Sequence, residues 1–99
     1  MTLVTAVRGR SLVILPTYNE RENIERIVQA VLAQAADLDV LVVDDNSPDG
    51  TGELAEQLAA NHGARLHVLH REGKLGLGTA YIQGFLWGLA RAYEYMFEM

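Results

Sequence analysis

Two adjacent carboxylates, Asp44 and Asp45, end an apolar run in "VLVVDDNSPDG", residues 40–50, and a cluster of turn residues follows at once. A charge at the end of a buried strand is costly unless something pairs with it. A metal, a nucleotide or the backbone amides of the turn would each meet that need. Two further segments carry tools of the same kind. "PTYNE", residues 16–20, offers the flat ring of Tyr18 for stacking on a base or sugar and the carboxylate of Glu20. "REGKLGLGTA", residues 71–80, offers Arg71 and Lys74 to meet a phosphate, and Gly76, Gly78 and Thr79 at the opening of a helix, where anions are favoured.

Each of these residues also has an ordinary role. Asp45 suits hydrogen bonds from a base imino or amino group or from a ribose hydroxyl. Asp44 fits either that role or acceptance of turn amides. Glu20 and Glu22 are also first-turn glutamates that suit a helix dipole. Tyr18 is a packing residue on the alternative reading. Residues 46–50 are turn formers first, with Asp49 or Thr51 as a cap for the helix that follows. His67 and His70 fall on opposite faces of one strand, a poor arrangement for a shared metal.

The elements that must position these loops follow from periodicity. "SLVILP" (11–16) is a strand stopped by proline. In residues 19–36, Ile24, Ile27, Val28, Val31 and Leu32 recur at helical spacing opposite charged residues, with Asn19 as the expected cap. "DVLVVDD" (39–45) is apolar without alternation, as in a parallel strand buried on both faces. "SPDGTGELAEQLAANHG" (47–63) is expected to turn and then form a second helix, with Leu54, Ala55 and Leu58 inward and Gly63 as its stop. "ARLHVLH" (64–70) reads as a third strand. Residues 79–92 read as a third helix, apolar over most of its circumference and hence expected to be buried, and "YEYMFEM" (93–99) as a fourth strand. The order β-α-β-α-β-α-β predicts an α/β, three-layer Rossmann-like domain on a parallel sheet of about four strands. The three polar loops then share the carboxyl edge of the sheet, where ligands of open α/β sheets bind. Residues 1–10 are expected to be a flexible tail and residues 11–99 the folded part.

Composition narrows the function classes. A chain of 99 residues supports one domain and core. A net charge of -5 argues against nonspecific nucleic-acid binding, which calls for a basic face. With no cysteine there are no disulfides and no thiolate metal sites. The opening residues are too short and polar for a signal peptide, and no apolar run approaches the ~20 residues of a membrane span. These features predict a soluble, cytoplasmic protein. The glycine-rich loop is not a P-loop, because Thr79 stands where G-x-x-x-x-G-K-[ST] needs lysine. It is a poor dinucleotide fingerprint, because Tyr81 takes the place of the last small residue and the loop follows the third strand rather than the first. No phospho-acceptor aspartate follows the third strand, as a receiver-like domain would require.

On these residues the chain resembles a known family. "VILPTYNERENIERIV", "VLVVDDNSPDGT" and "REGKLGLGTAYIQGF" look like the N-terminal half of family 2 glycosyltransferases of the GT-A fold, closest to polyprenol-phosphate (dolichol-phosphate) mannosyltransferases. The resemblance covers the chain from Ser11 onward. It implies inverting transfer of mannose from GDP-mannose to a polyprenyl phosphate at the cytoplasmic face of a membrane, with a divalent cation (Mg or Mn). By motif position, Pro16, Tyr18 and Glu20 would line the nucleotide pocket, Val43 and Asp45 would hold the nucleoside, and Lys74 would lie near the phosphates. Asp44, Gly76 and Gly78 are secondary candidates. The cation-binding Asp-x-Asp of such enzymes ends their fourth strand and would fall after Met99, so no catalytic or metal ligand is expected in these residues. Little catalysis is expected of the chain alone, and Glu98 is no convincing substitute. Two alternatives stand beside this reading. One is a family 2 transferase with another nucleotide-sugar donor. The other is a non-catalytic nucleotide-binding or homo-oligomerisation module, associating through the exposed sheet edge or through Phe85, Trp87 and Leu89 of the third helix.

Overall fold

The computed structural model describes residues 9–73 and 76–99. In chain order the elements are β1 (Ser11–Thr17), α1 (Ile24–Leu32), β2 (Leu38–Asp44), α2 (Thr51–His62), a short 3-10 turn (Gly63–Arg65), β3 (Leu66–His70), α3 (Leu77–Ala90) and β4 (Tyr95–Glu98). The strands form one sheet in the order β3-β2-β1-β4, every pairing parallel. The alternating order predicted this architecture.

The side-chain period of a strand divides the core in two. Val13, Leu15, Val40 and Val42 face α1 and α2, meeting Ile24, Val28, Val31, Ala55 and Leu58. Leu12, Ile14, Leu41 and Val43 face the other way, toward Ala80 of α3 and Tyr93 beyond it. Both faces of the two central strands are therefore covered, which explains their unbroken apolar runs. Pro16 has no N–H to give a ladder, and it lies beyond Ile14, the last β1 residue in register with β4.

Two helices differ from expectation. α1 begins at Ile24, and Asn19 does not cap it. Asn19 instead adopts a left-handed φ of 55°, and its N–H donates to Ser47 Oγ at 2.9 Å. The loop contact outcompetes the cap. α3 is not buried all round. Ala80, Gly84 and Gly88, four residues apart, form the stripe that seats it on the sheet, while Ile82, Leu86 and Leu89 on the opposite side are 58–62% exposed. A helix lying on one sheet face has only one side to bury, and small residues bring its backbone close. A Cβ on Gly84 would stand 2.5 Å from Ile14 Cγ2.

The amino-terminal ends of the strands are held by a buried carboxylate. Asp39, 1% exposed, accepts Arg10 Nε at 3.1 and 3.0 Å and the Tyr93 hydroxyl at 2.7 Å. Of the tail expected over residues 1–10, residues 1–8 lie outside the described residues, and Arg10 is anchored rather than free. Tyr93 reaches Asp39 because Ala92 takes a left-handed φ of 63°, with Tyr93 N–H returning to Gly88 O and Ala92 N–H to Leu89 O. That pattern of closing bonds is a Schellman-type helix end.

Two stability measurements check this account. Gly84→Ala is expected to destabilise the chain by roughly 1–2 kcal/mol in urea unfolding. Overpacking against the β-branched Ile14, which the sheet prevents from retreating, outweighs the ~1 kcal/mol that alanine gains in a helix. Burial, then its bond to Asp39, raise the Tyr93 phenol above its ordinary 10.0. The folded state thus holds this proton more tightly than the unfolded chain. The contribution is complete below about pH 10 and is lost as pH rises beyond it. Tyr93→Phe should remove that alkaline slope from the stability profile.

Candidate functional site

The loops after β1 and β2 are locked together by one buried side chain. Asp44 is 1% exposed and accepts three hydrogen bonds: Thr17 Oγ1 at 2.7 Å, Ser47 Oγ at 2.6 Å and Ser47 N–H at 3.0 Å. The first turn of α2 packs directly on it, since a Cβ on Gly52 would lie 3.0 Å from Asp44 Oδ2. The positive end of that helix favours the charge. Ser47 in turn accepts Asn19 N–H. Thr51 Oγ1 accepts Glu20 N–H at 2.9 Å, and Asp49 Oδ2 accepts Arg21 N–H at 3.1 Å. Three successive amides of the first loop are thus held by side chains of the second. Thr51, then the Arg21 and Thr51 amides, hold the Asp49 carboxyl below its ordinary value.

Asp45 has a different environment. Arg71 grips it with one edge of the guanidinium, Nε to Oδ1 at 2.5 Å and Nη2 to Oδ2 at 2.9 Å, and both side chains are nearly inaccessible. The remaining Arg71 donors go to Thr79 Oγ1 at 2.9 Å, Gln83 Oε1 at 3.0 Å and Gly76 O at 3.1 Å. Its bond to Asp45 raises the Arg71 pKa above its ordinary value. All five N–H groups are therefore used. The sequence expectation that Arg71 meets a phosphate is corrected: in this state the guanidinium has no donor to offer.

Asp45 lines a cleft of about 110 Å³, together with Pro16, Thr17 and Tyr18 from the first loop and Gly76, Leu77 and Ala80 from the start of α3. Gly76 has a φ of 103°, which a side chain would disfavour, and it places the first turn of α3 as the far wall. The product is an apolar slot between Tyr18 and Leu77 with one carboxylate in its lining, suited to a flat ring that carries N–H donors.

Of the expected site residues, Pro16, Tyr18, Asp45 and Gly76 meet at this cleft. Asp44 lies under the turn and serves it. Val43 is fully buried against α3, so its side chain supports the floor and does not line the cleft. Glu20 is turned into its own loop, its carbonyl accepting Asn23 and Ile24 N–H and its carboxylate meeting Asn23 Nδ2 at 3.4 Å. Gly78 is exposed on α3 outside the lining. Lys74 lies outside the described residues. The pairing of Arg71 with Asp45 was not anticipated, although a signal existed. Parallel register sets Asp44 beside His70, so the next residue of each strand, Asp45 and Arg71, become neighbours.

The acids present do not form a cation site. Asp44 and Asp45 are committed to Thr17, Ser47 and Arg71, and among the described residues no group of three or more His, Asp or Glu could hold a metal. His67 packs on Trp87, and His70 pairs with Glu56 at 2.6 Å.

Comparison with known proteins gives a consistent picture. The family model described as Glycosyl transferase family 2 matches residues 12–92. A polyprenol monophosphomannose synthase of Mycolicibacterium smegmatis is 56% identical over 90 residues, covering 91% of this chain and 34% of the relative. An undecaprenyl-phosphate mannosyltransferase of Micrococcus luteus is 51% identical over 90 residues, 91% of this chain and 37% of the relative. The chain thus spans about a third of the length of these curated relatives. A mannosyltransferase from Pyrobaculum calidifontis, solved in complex with GDP-Man and Mn2+, superposes with a TM-score of 0.71 at 29% identity. That match covers 82% of this chain and 25% of the solved one.

The loop clamp has a direct test. Asp44→Asn replaces one acceptor oxygen by an NH2 group facing Thr17 and Ser47 donors. It is expected to cost about 2–3 kcal/mol in denaturant unfolding, the range for buried polar groups left unmatched. Amide exchange at Asn19 should speed up together with that loss.

Proposed function

Because the chain belongs to glycosyl transferase family 2, we propose that residues 11–99 are the nucleotide-sugar-binding part of a glycosyltransferase that moves mannose from GDP-mannose to a polyprenyl phosphate. The relatives' names, the GDP-Man complex of the solved neighbour and the shape of the cleft support this reading. The observation that carries it is the position of Asp45, a carboxylate fixed in the lining of an apolar slot that Tyr18 also lines.

In this reading the Tyr18 ring stacks on the base and Leu77 and Ala80 close its other face. Asp45 accepts the N–H groups of the base edge. Its charge is already balanced by Arg71, so the slot takes the neutral nucleoside rather than the phosphates. Lys74, in the same glycine-rich segment, is the candidate for the phosphates. Across the whole enzyme, an acceptor phosphate oxygen attacks the sugar carbon and the nucleoside diphosphate leaves. A divalent cation would offset the charge of that leaving group, and none of the residues described here is assigned to it. A lipid acceptor sets the reaction at a membrane face, proposed to be the cytoplasmic one. No helix among the described residues is long and apolar enough to cross a membrane.

Calorimetric titration with GDP and GDP-mannose tests the proposal. Saturable binding is expected, weakened about tenfold or more by Asp45→Ala, the loss of a hydrogen-bonded charged acceptor, and also by Tyr18→Ala. The absence of binding to a folded chain would sink the reading. Tighter binding of UDP than of GDP would move the donor to another sugar nucleotide.

A further inference from the structure

We infer that Arg71 is a positioning residue for donor recognition: it aims Asp45 at the base of a guanosine nucleotide and fixes the first turns of α3 as the opposite wall, without touching the ligand. The inference rests on the nucleoside reading of the cleft. Its observation is the way the guanidinium spends its donors. Two N–H groups bind the two oxygens of Asp45, and three bind Thr79, Gln83 and the Gly76 carbonyl, which belong to or flank the far wall. One planar group thus couples the end of β2 to the entry of α3, two elements that line the same cleft.

The chemistry of the pair sets what it can read. A carboxylate has about four acceptor positions, and Arg71 uses two of them, one on each oxygen. The remaining positions are held in a fixed plane, because a fork clamps the group at both ends. Guanine presents two adjacent donors, N1–H and the exocyclic amine, to such an acceptor pair. Adenine presents a ring lone pair beside one donor, which the carboxylate repels. Discrimination therefore depends on the carboxylate plane. Lysine keeps the charge but cannot hold two oxygens and three further acceptors at once, since its ammonium has three donors and no fork. Burial supports a role that does not involve ligand contact, since the Arg71 side chain is 2% exposed and lies behind Asp45.

The test is the preference for GDP over ADP, measured as a ratio of dissociation constants by calorimetry, for the unaltered chain and for Arg71→Lys. The unaltered chain is expected to prefer GDP by roughly 30-fold, the worth of one or two hydrogen bonds to a charged group. Arg71→Lys is expected to bring that ratio below about threefold while far-UV circular dichroism stays unchanged. A purely structural role would weaken both nucleotides alike and leave the ratio intact, and that result overturns the inference while the nucleoside reading survives. Failure of the unaltered chain to bind GDP would overturn both. Should Arg71→Lys fail to fold, the double variant Thr79→Val, Gln83→Leu decides. It leaves the Asp45 contacts in place and frees the outer edge of the guanidinium. The GDP preference should fall about threefold, and an unchanged ratio counts against the inference.

Discussion

The carboxylate of Asp44 is the constraint on which the functional edge depends. It is buried, it accepts two hydroxyls and an amide, and the first turn of α2 sits on it. Desolvating a carboxylate is unfavourable unless hydrogen bonds and dipoles replace the lost water. Here the replacement comes from the two loops that must be brought together. Thr17 and Ser47 are fixed by Asp44, Ser47 then fixes Asn19, and Thr51 and Asp49 fix the next two amides. Tyr18 lies between these anchored points, so the entrance of the cleft inherits its geometry from a residue that does not line it.

The neighbouring carboxylate shows how sequence adjacency and function diverge. Asp44 and Asp45 are consecutive at the end of a strand, so they lie on opposite sides of the chain. One turns toward the loops and α2, the other toward β3 and α3. They cannot act as a pair. The Asp45–Arg71 unit is formally neutral and fully hydrogen-bonded on the arginine side. Such a unit offers directional acceptors without a net field, which suits a base better than a diphosphate. The electrostatics of the cleft thus agree with the nucleoside slot proposed above, as its shape does.

α3 joins this site to the rest of the molecule. Its Ala80, Gly84 and Gly88 stripe lets the helix lie close on β1 from the cleft down to the amino-terminal end of the sheet. There the chain leaves the helix at Ala92, and Tyr93 reaches the carboxylate of Asp39, which Arg10 also holds. The helix is thus tied at both ends to a buried carboxylate that an arginine pairs with, Asp45 with Arg71 above and, through Tyr93, Asp39 with Arg10 below. Its outer face keeps Ile82, Leu86 and Leu89 in the open because the sheet offers only one surface to it.

Much of this was legible in the chain itself. The continuous apolar run of β2, the amphipathic spacing of Ile24, Val28 and Val31, and the glycines that end or open helices determined the element order and hence a parallel sheet with its polar loops on one edge. That follows from local rules, strand and helix periods and turn chemistry, which act within a few residues. "PTYNE", "DDNSPDG" and the glycine-rich loop were likewise legible as the segments that would share one edge, and Pro16, Tyr18, Asp45 and Gly76 of them line the cleft. What those residues touch was decided only by tertiary structure. Asn19 gave up a cap for Ser47, Arg71 took Asp45 instead of a phosphate, α3 buried a stripe instead of its circumference, and Asp39 found Arg10 and Tyr93 across the sheet. In each case the partner lies far along the chain, on another element or in a loop beside one. A buried polar group chooses its partner by what the packed sheet brings within hydrogen-bonding distance, and composition and spacing do not specify that.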